Sequence, residues 1–126
     1  MRCLLSALLI ALALPAAARD LRDICEREDR GQILDCLMAQ HQSLDREMAR
    51  NYSRLIAGLT GFEPEDVPRL RAAQRAWIAF RDADCEVAQF RDRGGREEKI
   101  YLAECLILRT GTRNGELRHW VNSLPR

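Results

Sequence analysis

The stretch CEVAQFRDRGGREEKIYLAEC, running from Cys85 to Cys105, decides the fold. Gly94-Gly95 sits in its middle and breaks a helical pattern on both sides, so the two flanking segments fold back on each other as a hairpin. Cys85 lies nine residues before Gly94 and Cys105 ten after Gly95. At about 1.5 Å per residue both cysteines stand roughly 14–15 Å from the turn, level with each other on adjacent helices. That register favours a Cys85–Cys105 bridge, which leaves Cys25 and Cys36 to pair with each other.

Outward from this hairpin the pattern stays helical. From about Gly31 to Leu59, Ile33, Leu34, Leu37, Met38, Leu44, Met48, Tyr52, Leu55, Ile56 and Leu59 recur every three or four residues, the spacing of one long amphipathic helix. Gly58 and Thr60-Gly61 stop it. A loop at 62–66 and Val67-Pro68 open the next helix, in which Leu70, Ala73, Trp77, Phe80, Val87 and Ala88 form the expected apolar stripe. Ile100, Leu102, Ala103, Leu106, Ile107, Leu117 and Trp120 mark the last helix, with an irregularity expected near Gly111 or Gly115. Asp20 to about Glu28 reads as a short helix or extended lead-in. The expected fold is all-α: a small up-down bundle of three main helices plus a short N-terminal helix, stapled by disulfides.

The staples imply an address. Met1-Arg2-Cys3 is a short positive start, Leu4 to Leu14 is broadly apolar, and Pro15-Ala16-Ala17-Ala18 closes it. These are the three parts of a secretory signal, and the apolar part is shorter than the roughly 20 residues of a membrane span. Cleavage near Ala18 divides the chain into a signal peptide, 1–18, and a helical domain, 19–126. The destination is the periplasm or the exterior of a bacterial cell, with no membrane segment after cleavage. Cys25 follows Arg22-Asp23-Ile24 rather than a small-residue site, so it is not a lipid-attachment cysteine. Cys3 leaves with the leader, and an even set of four cysteines in a short exported chain reads as two disulfides.

Charge excludes one class of partner. Lys and Arg number 20 against 19 Asp and Glu. Losing Arg2 with the leader makes the domain neutral, so it has no basic field for nucleic acid. No cofactor is implied. Metal-ligand spacings such as C-x-x-C are missing, and His41 and His119 are isolated. Phosphate loops, nucleophile elbows and H-E-x-x-H are missing as well, so the chain does not read as an enzyme. Asp82 and Asp84 stand close together, but two residues apart on a helix they point in different directions. One of them is expected to pair with Arg109 or Arg113 across the hairpin. Trp77, Trp120 and Tyr52 read as core or helix-seam residues.

The run Gln74-Arg75-Ala76-Trp77-Ile78-Ala79-Phe80-Arg81-Asp82-Ala83-Asp84-Cys85 resembles the Q-x-x-W-x-x-x-R-D-x-x-C signature of the LprI-type lysozyme inhibitor family, in its N-terminal domain. Gly94-Gly95 matches the family's glycine turn. Cys105, Thr110, Arg113 and Leu117 match its closing C-x4-T-x-x-R-x-x-x-L, and Asp35-Cys36-Leu37, Leu44-Asp45 and Tyr52 match earlier landmarks. Residues 47–51 depart from the family's usual Leu-Asn before the tyrosine. The resemblance implies an exported envelope protein whose partner is a lysozyme. Gln74, Trp77, Arg81, Asp82, Thr110 and Arg113 are expected to be architectural. Candidate partner contacts are the acidic loop Glu63, Glu65 and Asp66, for a basic rim, and the hairpin-tip arginines Arg91, Arg93 and Arg96, for catalytic carboxylates. The alternative is a periplasmic accessory module that binds another envelope protein without inhibiting lysozyme.

Overall fold

A computed structural model of the chain describes Cys25 and residues 30–125. The expected signal peptide, its expected cleavage site and, apart from Cys25, the lead-in at 20–28 lie outside the described residues. Three helices follow one another: α1, Arg30–Leu59; α2, Asp66–Ala88; and α3, Glu98–Asn122. A short 3-10 turn, Gln89–Asp92, links α2 to the hairpin tip. Among the described residues there is no strand, and no helix is long and apolar enough to cross a membrane.

Each helix ends where the sequence supplies a reason. Gly61 takes a φ of 105°, a left-handed conformation open to glycine, and this turns the chain out of α1. Pro68 falls in the first turn of α2, where a missing backbone N–H costs nothing. Gly94 and Gly95 serve different ends. Gly94 adopts a φ of 75°, which lets the hairpin reverse. Gly95 makes room: the Asp92 carboxylate lies where a Cβ would be, and Asp92 Oδ2 accepts the Glu97 N–H at 2.8 Å as α3 begins.

Both disulfides pair as the hairpin register indicates. Cys85–Cys105 closes α2 onto α3 with Cα atoms 5.4 Å apart, and Cys25–Cys36 ties the lead-in to α1 at 5.7 Å. The Cys25–Cys36 bond anchors an apolar cluster of Cys25, Leu37, Ala103 and Ile107, flanked by Ile33, Leu34 and Ile100. A second cluster of Met48, Leu55, Leu70 and Leu117 fills the other end, with Tyr52, Ile56, Trp77 and Leu124 against it. Leu124 reaches α1 because Gly58 leaves the space; a Cβ there would lie 2.1 Å from its Cδ1.

Three expectations need correction. α3 runs unbroken through Gly111 and Gly115. Glycine costs a helix about 1 kcal/mol per site, and burial of Ile107, Thr110, Asn114 and Leu117 on the inward face outweighs that. The stripe assigned to α2 is its inward face only in part: Leu70 is buried and Trp77 packs on the second cluster, but most of the rest turns outward and polar residues take its place. Phe80 is 53% and Val87 62% exposed, whereas Leu70, Gln74, Arg81 and Cys85 are buried. Trp120, read as a seam residue, is 43% exposed.

Replacing both Cys85 and Cys105 by alanine should lower unfolding free energy by about 3 kcal/mol, the loop-closure value for a bridge of this span. Gly94→Ala should cost about 1–2 kcal/mol through its left-handed backbone. Chemical denaturation of the oxidised proteins measures both, and a Gly94→Ala variant as stable as the parent would contradict the turn geometry.

Candidate functional site

Between the two apolar clusters lies a layer of buried polar side chains, and most of them are the residues singled out in the sequence. Arg81, 8% exposed, reaches all three helices. From α2 it donates to Asp45 of α1 at 2.9 Å and to Thr110 of α3 at 3.3 Å, and its Nε donates to neighbouring Asp82 at 2.9 Å. Arg113 of α3, 6% exposed, donates to Gln74 Oε1 of α2 at 3.0 Å and to Glu116 at 2.8 Å. Gln74 Nε2 in turn donates to the Met48 sulfur of α1 at 3.6 Å. Asn51 Nδ2 donates to Asn114 Oδ1, closing α1 against α3.

Trp77 serves both guanidinium groups. Arg81 stands 5.4 Å and Arg113 5.9 Å from its ring centroid, and Arg113 lies 5.1 Å from the Trp120 ring. A buried arginine is tolerated only when its donors are occupied and its charge is matched. The aromatic faces and half-exposed carboxylates here meet both needs. Of the two aspartates, Asp84 makes the cross-hairpin pair, with Arg109 at 2.6 Å, while Asp82 stays with Arg81 on its own helix. The layer locks the helices together, and each of its carboxylates is engaged by an arginine.

His41, missed as anything but an isolated histidine, borders this layer. Its Nε2 is buried without a hydrogen-bond partner and lies 4.0 Å from Asp45 Oδ1. Burial holds its pKa below the ordinary 6.5; Asp45 and Asp82 pull it up and Arg81 pushes it down, but desolvation prevails. Asp84, Cys85 and Cys105 bring possible metal-ligand atoms within 4.8 Å of one another. The two sulfurs are bonded to each other and the carboxylate is bonded to Arg109, so this group is spent as structure.

The outward candidates separate. Glu63, Glu65 and Asp66 cap one end of the bundle, and Arg91, Arg93 and Arg96 sit at the other, about 35 Å away along the 23 residues of α2. At the hairpin tip Arg91 stacks on Tyr101 at 4.2 Å, and Arg93 donates to the Glu86 carbonyl at 3.2 Å. The acidic end is different. Beside it opens an apolar groove of about 570 Å³, lined by Leu55, Leu59, Phe62, Leu70, Trp120 and Leu124. Phe62 is 50% exposed at its edge, Glu63 and Glu65 are exposed next to it, and Asp66 lines the groove. Sequence reading found the acidic loop but not the groove, which depends on Leu124 folding back over Gly58.

Comparison with known proteins follows this geometry. The model of the family described as lysozyme inhibitor LprI matches residues 25–117, from the first disulfide cysteine to the buried Leu117. An uncharacterized protein of Rhizobium meliloti (strain 1021) is 29% identical over 127 aligned positions, covering 92% of this chain and 91% of its own. The uncharacterized protein YecT of Escherichia coli (strain K12) is 25% identical, over 75% of this chain and 66% of its own length. No solved structure gives a significant match.

Two outcomes follow. Arg81→Ala should cost about 2–4 kcal/mol, because it strips a buried hub from three helices. Arg109→Ala, whose ion pair is solvated, should cost less than about 1 kcal/mol. Because the folded protein holds His41 with a lowered pKa, the unfolded chain binds the extra proton first as pH falls below about 6.5. The His41 contribution to stability is therefore fully present above that pH and is lost on acidification. A His41→Leu variant should flatten this decline in melts between about pH 7.5 and 5; an unchanged slope would remove His41 as its source.

Proposed function

The chain belongs to the lysozyme inhibitor LprI family, and we propose on that premise that it is an exported, non-enzymatic binding protein that engages and inhibits a lysozyme. In this reading the leader 1–18 is removed and the domain 19–126 works in the periplasm or outside the cell. The observation that carries the contact surface is the coincidence of the exposed Phe62, the apolar groove and the acids Glu63, Glu65 and Asp66 at one end of the bundle. An apolar anchor ringed by charge is the composition of a binding hot spot.

A glycosidase cleft works through two carboxyl groups in a groove open to its polymer. A protein that covers this groove stops the reaction without reaching the carboxyls themselves. Glu63 and Glu65 suit the basic rim of such a cleft, with Phe62 and Trp120 giving apolar contact. The hairpin tip suits the role less well, since Arg91 and Arg93 are already engaged with Tyr101 and Glu86.

The second reading is an envelope accessory module whose partner is not a lysozyme. Near-neutral charge favours it, because the domain supplies no long-range attraction toward a cationic enzyme.

Titration into cell-wall lysis assays with animal and bacterial lysozymes separates the two. Inhibition is expected, and Glu63→Lys with Glu65→Lys should weaken it on the order of tenfold or more while leaving the melting temperature in place. Phe62→Ala should weaken it comparably. No inhibition at large molar excess would sink the lysozyme reading and leave the accessory module.

A further inference from the structure

α2 carries an apolar face that the bundle does not use. Ala73, Ala76, Phe80, Ala83 and Val87 of α2, with Phe90 in the 3-10 turn that continues it, recur at alternating spacings of three and four residues, the a and d positions of a heptad repeat. All six are exposed, Phe80 by 53%, Val87 by 62% and Phe90 by 70%. The inward face, through Leu70, Gln74, Arg81 and Cys85, is a different one. A stripe of this period with three large side chains in water is the pattern of a helix awaiting another helix.

We propose that this face pairs with the same face of a second copy, antiparallel, to form a symmetric dimer. The order of large and small residues specifies the register. With Phe80 set opposite Ala83 of the second copy, Val87 falls opposite Ala76 and Phe90 opposite Ala73. Twofold symmetry repeats the three layers, so every large side chain meets an alanine. A parallel pair in register stacks Phe80 on Phe80 and Ala83 on Ala83, crowding one layer and emptying the next. The six layers extend about 26 Å along α2 and the short turn that continues it, and Ala72 and Ala79 beside the stripe let the backbones approach.

The face is also pre-shaped. The Cys85–Cys105 bond and the Asp84–Arg109 pair fix α2 against α3, and the Arg109 guanidinium lies 5.6 Å from the Phe80 ring centroid. Little ordering is left to oppose association.

Sedimentation velocity of the disulfide-intact protein, from about 1 to about 300 μM, reads the equilibrium directly. A reversible dimer is expected. Phe80→Glu and, independently, Val87→Glu should each weaken it on the order of 100-fold by placing carboxylates in the apolar seam. Circular dichroism should stay unchanged, since both sites are exposed in the monomer. Ala83→Phe should also weaken the dimer, and the double swap Phe80→Ala with Ala83→Phe should restore it to within about threefold, because the same layers reform with roles exchanged. A monomer throughout the range, or a dimer indifferent to both glutamates, would overturn the proposal. A double swap no tighter than Ala83→Phe alone would overturn the antiparallel register. Lysozyme inhibition is read in a separate assay, so either result can fail without the other.

Discussion

The bundle depends on Arg81. Its guanidinium is buried, and it hydrogen-bonds to partners on all three helices: Asp45 on α1, Asp82 on its own α2 and Thr110 on α3. A cation at this depth is destabilising in any arrangement that leaves its donors open. Sliding one helix by a turn would carry Asp45 or Thr110 about 5.4 Å away. The apolar clusters on either side are far less selective, because leucine, isoleucine and methionine accept many packings. Arg81, with Arg113–Gln74 and Asn51–Asn114, fixes which packing is adopted, and the Cys85–Cys105 bond holds α2 and α3 where those contacts form.

This layer also explains what could be read in the sequence. The double glycine gave the hairpin, and equal distances from it gave the Cys85–Cys105 pair, since helix rise is constant. Helix limits came from Gly61 and the 94–95 turn for the same reason: backbone conformation at glycine is a local property. The inward face of α2 followed only at Leu70 and Trp77, because periodicity assumes that apolar residues go in. Gln74 and Arg81 go in instead, each paired, and Phe80 and Val87 stay out. The pairing partners of Arg81 lie 36 and 29 residues away in sequence, on helices whose relative placement a linear pattern does not encode.

The same holds for the candidate site. Glu63, Glu65 and Asp66 were visible as a compact acidic loop. The groove beside them was not, because it arises where Leu124 crosses Gly58, 66 positions apart along the chain. A glycine inside a helix carries no sign of what will fill the space it leaves. The opposite case is α3, where Gly111 and Gly115 suggested a break and the inward face overrode them. Local propensity of about 1 kcal/mol per glycine yields to burial of residues such as Ile107 and Leu117.

Family membership therefore bears unequally on the parts of this protein. The signature residues Gln74, Trp77, Arg81, Thr110 and Arg113 converge on the interior layer, where their chemistry is consumed in joining helices. Their presence specifies a scaffold. The surfaces proposed for a partner, Phe62 with its acidic neighbours at one end and the heptad face along α2, are made of residues outside that interior layer. A chain can change them freely without disturbing Arg81 or Arg113, since exposed substitutions away from the layer cost little. One scaffold can thus carry different exposed surfaces, and on the proposed reading the partner is decided at those positions rather than by the motif that identifies the family.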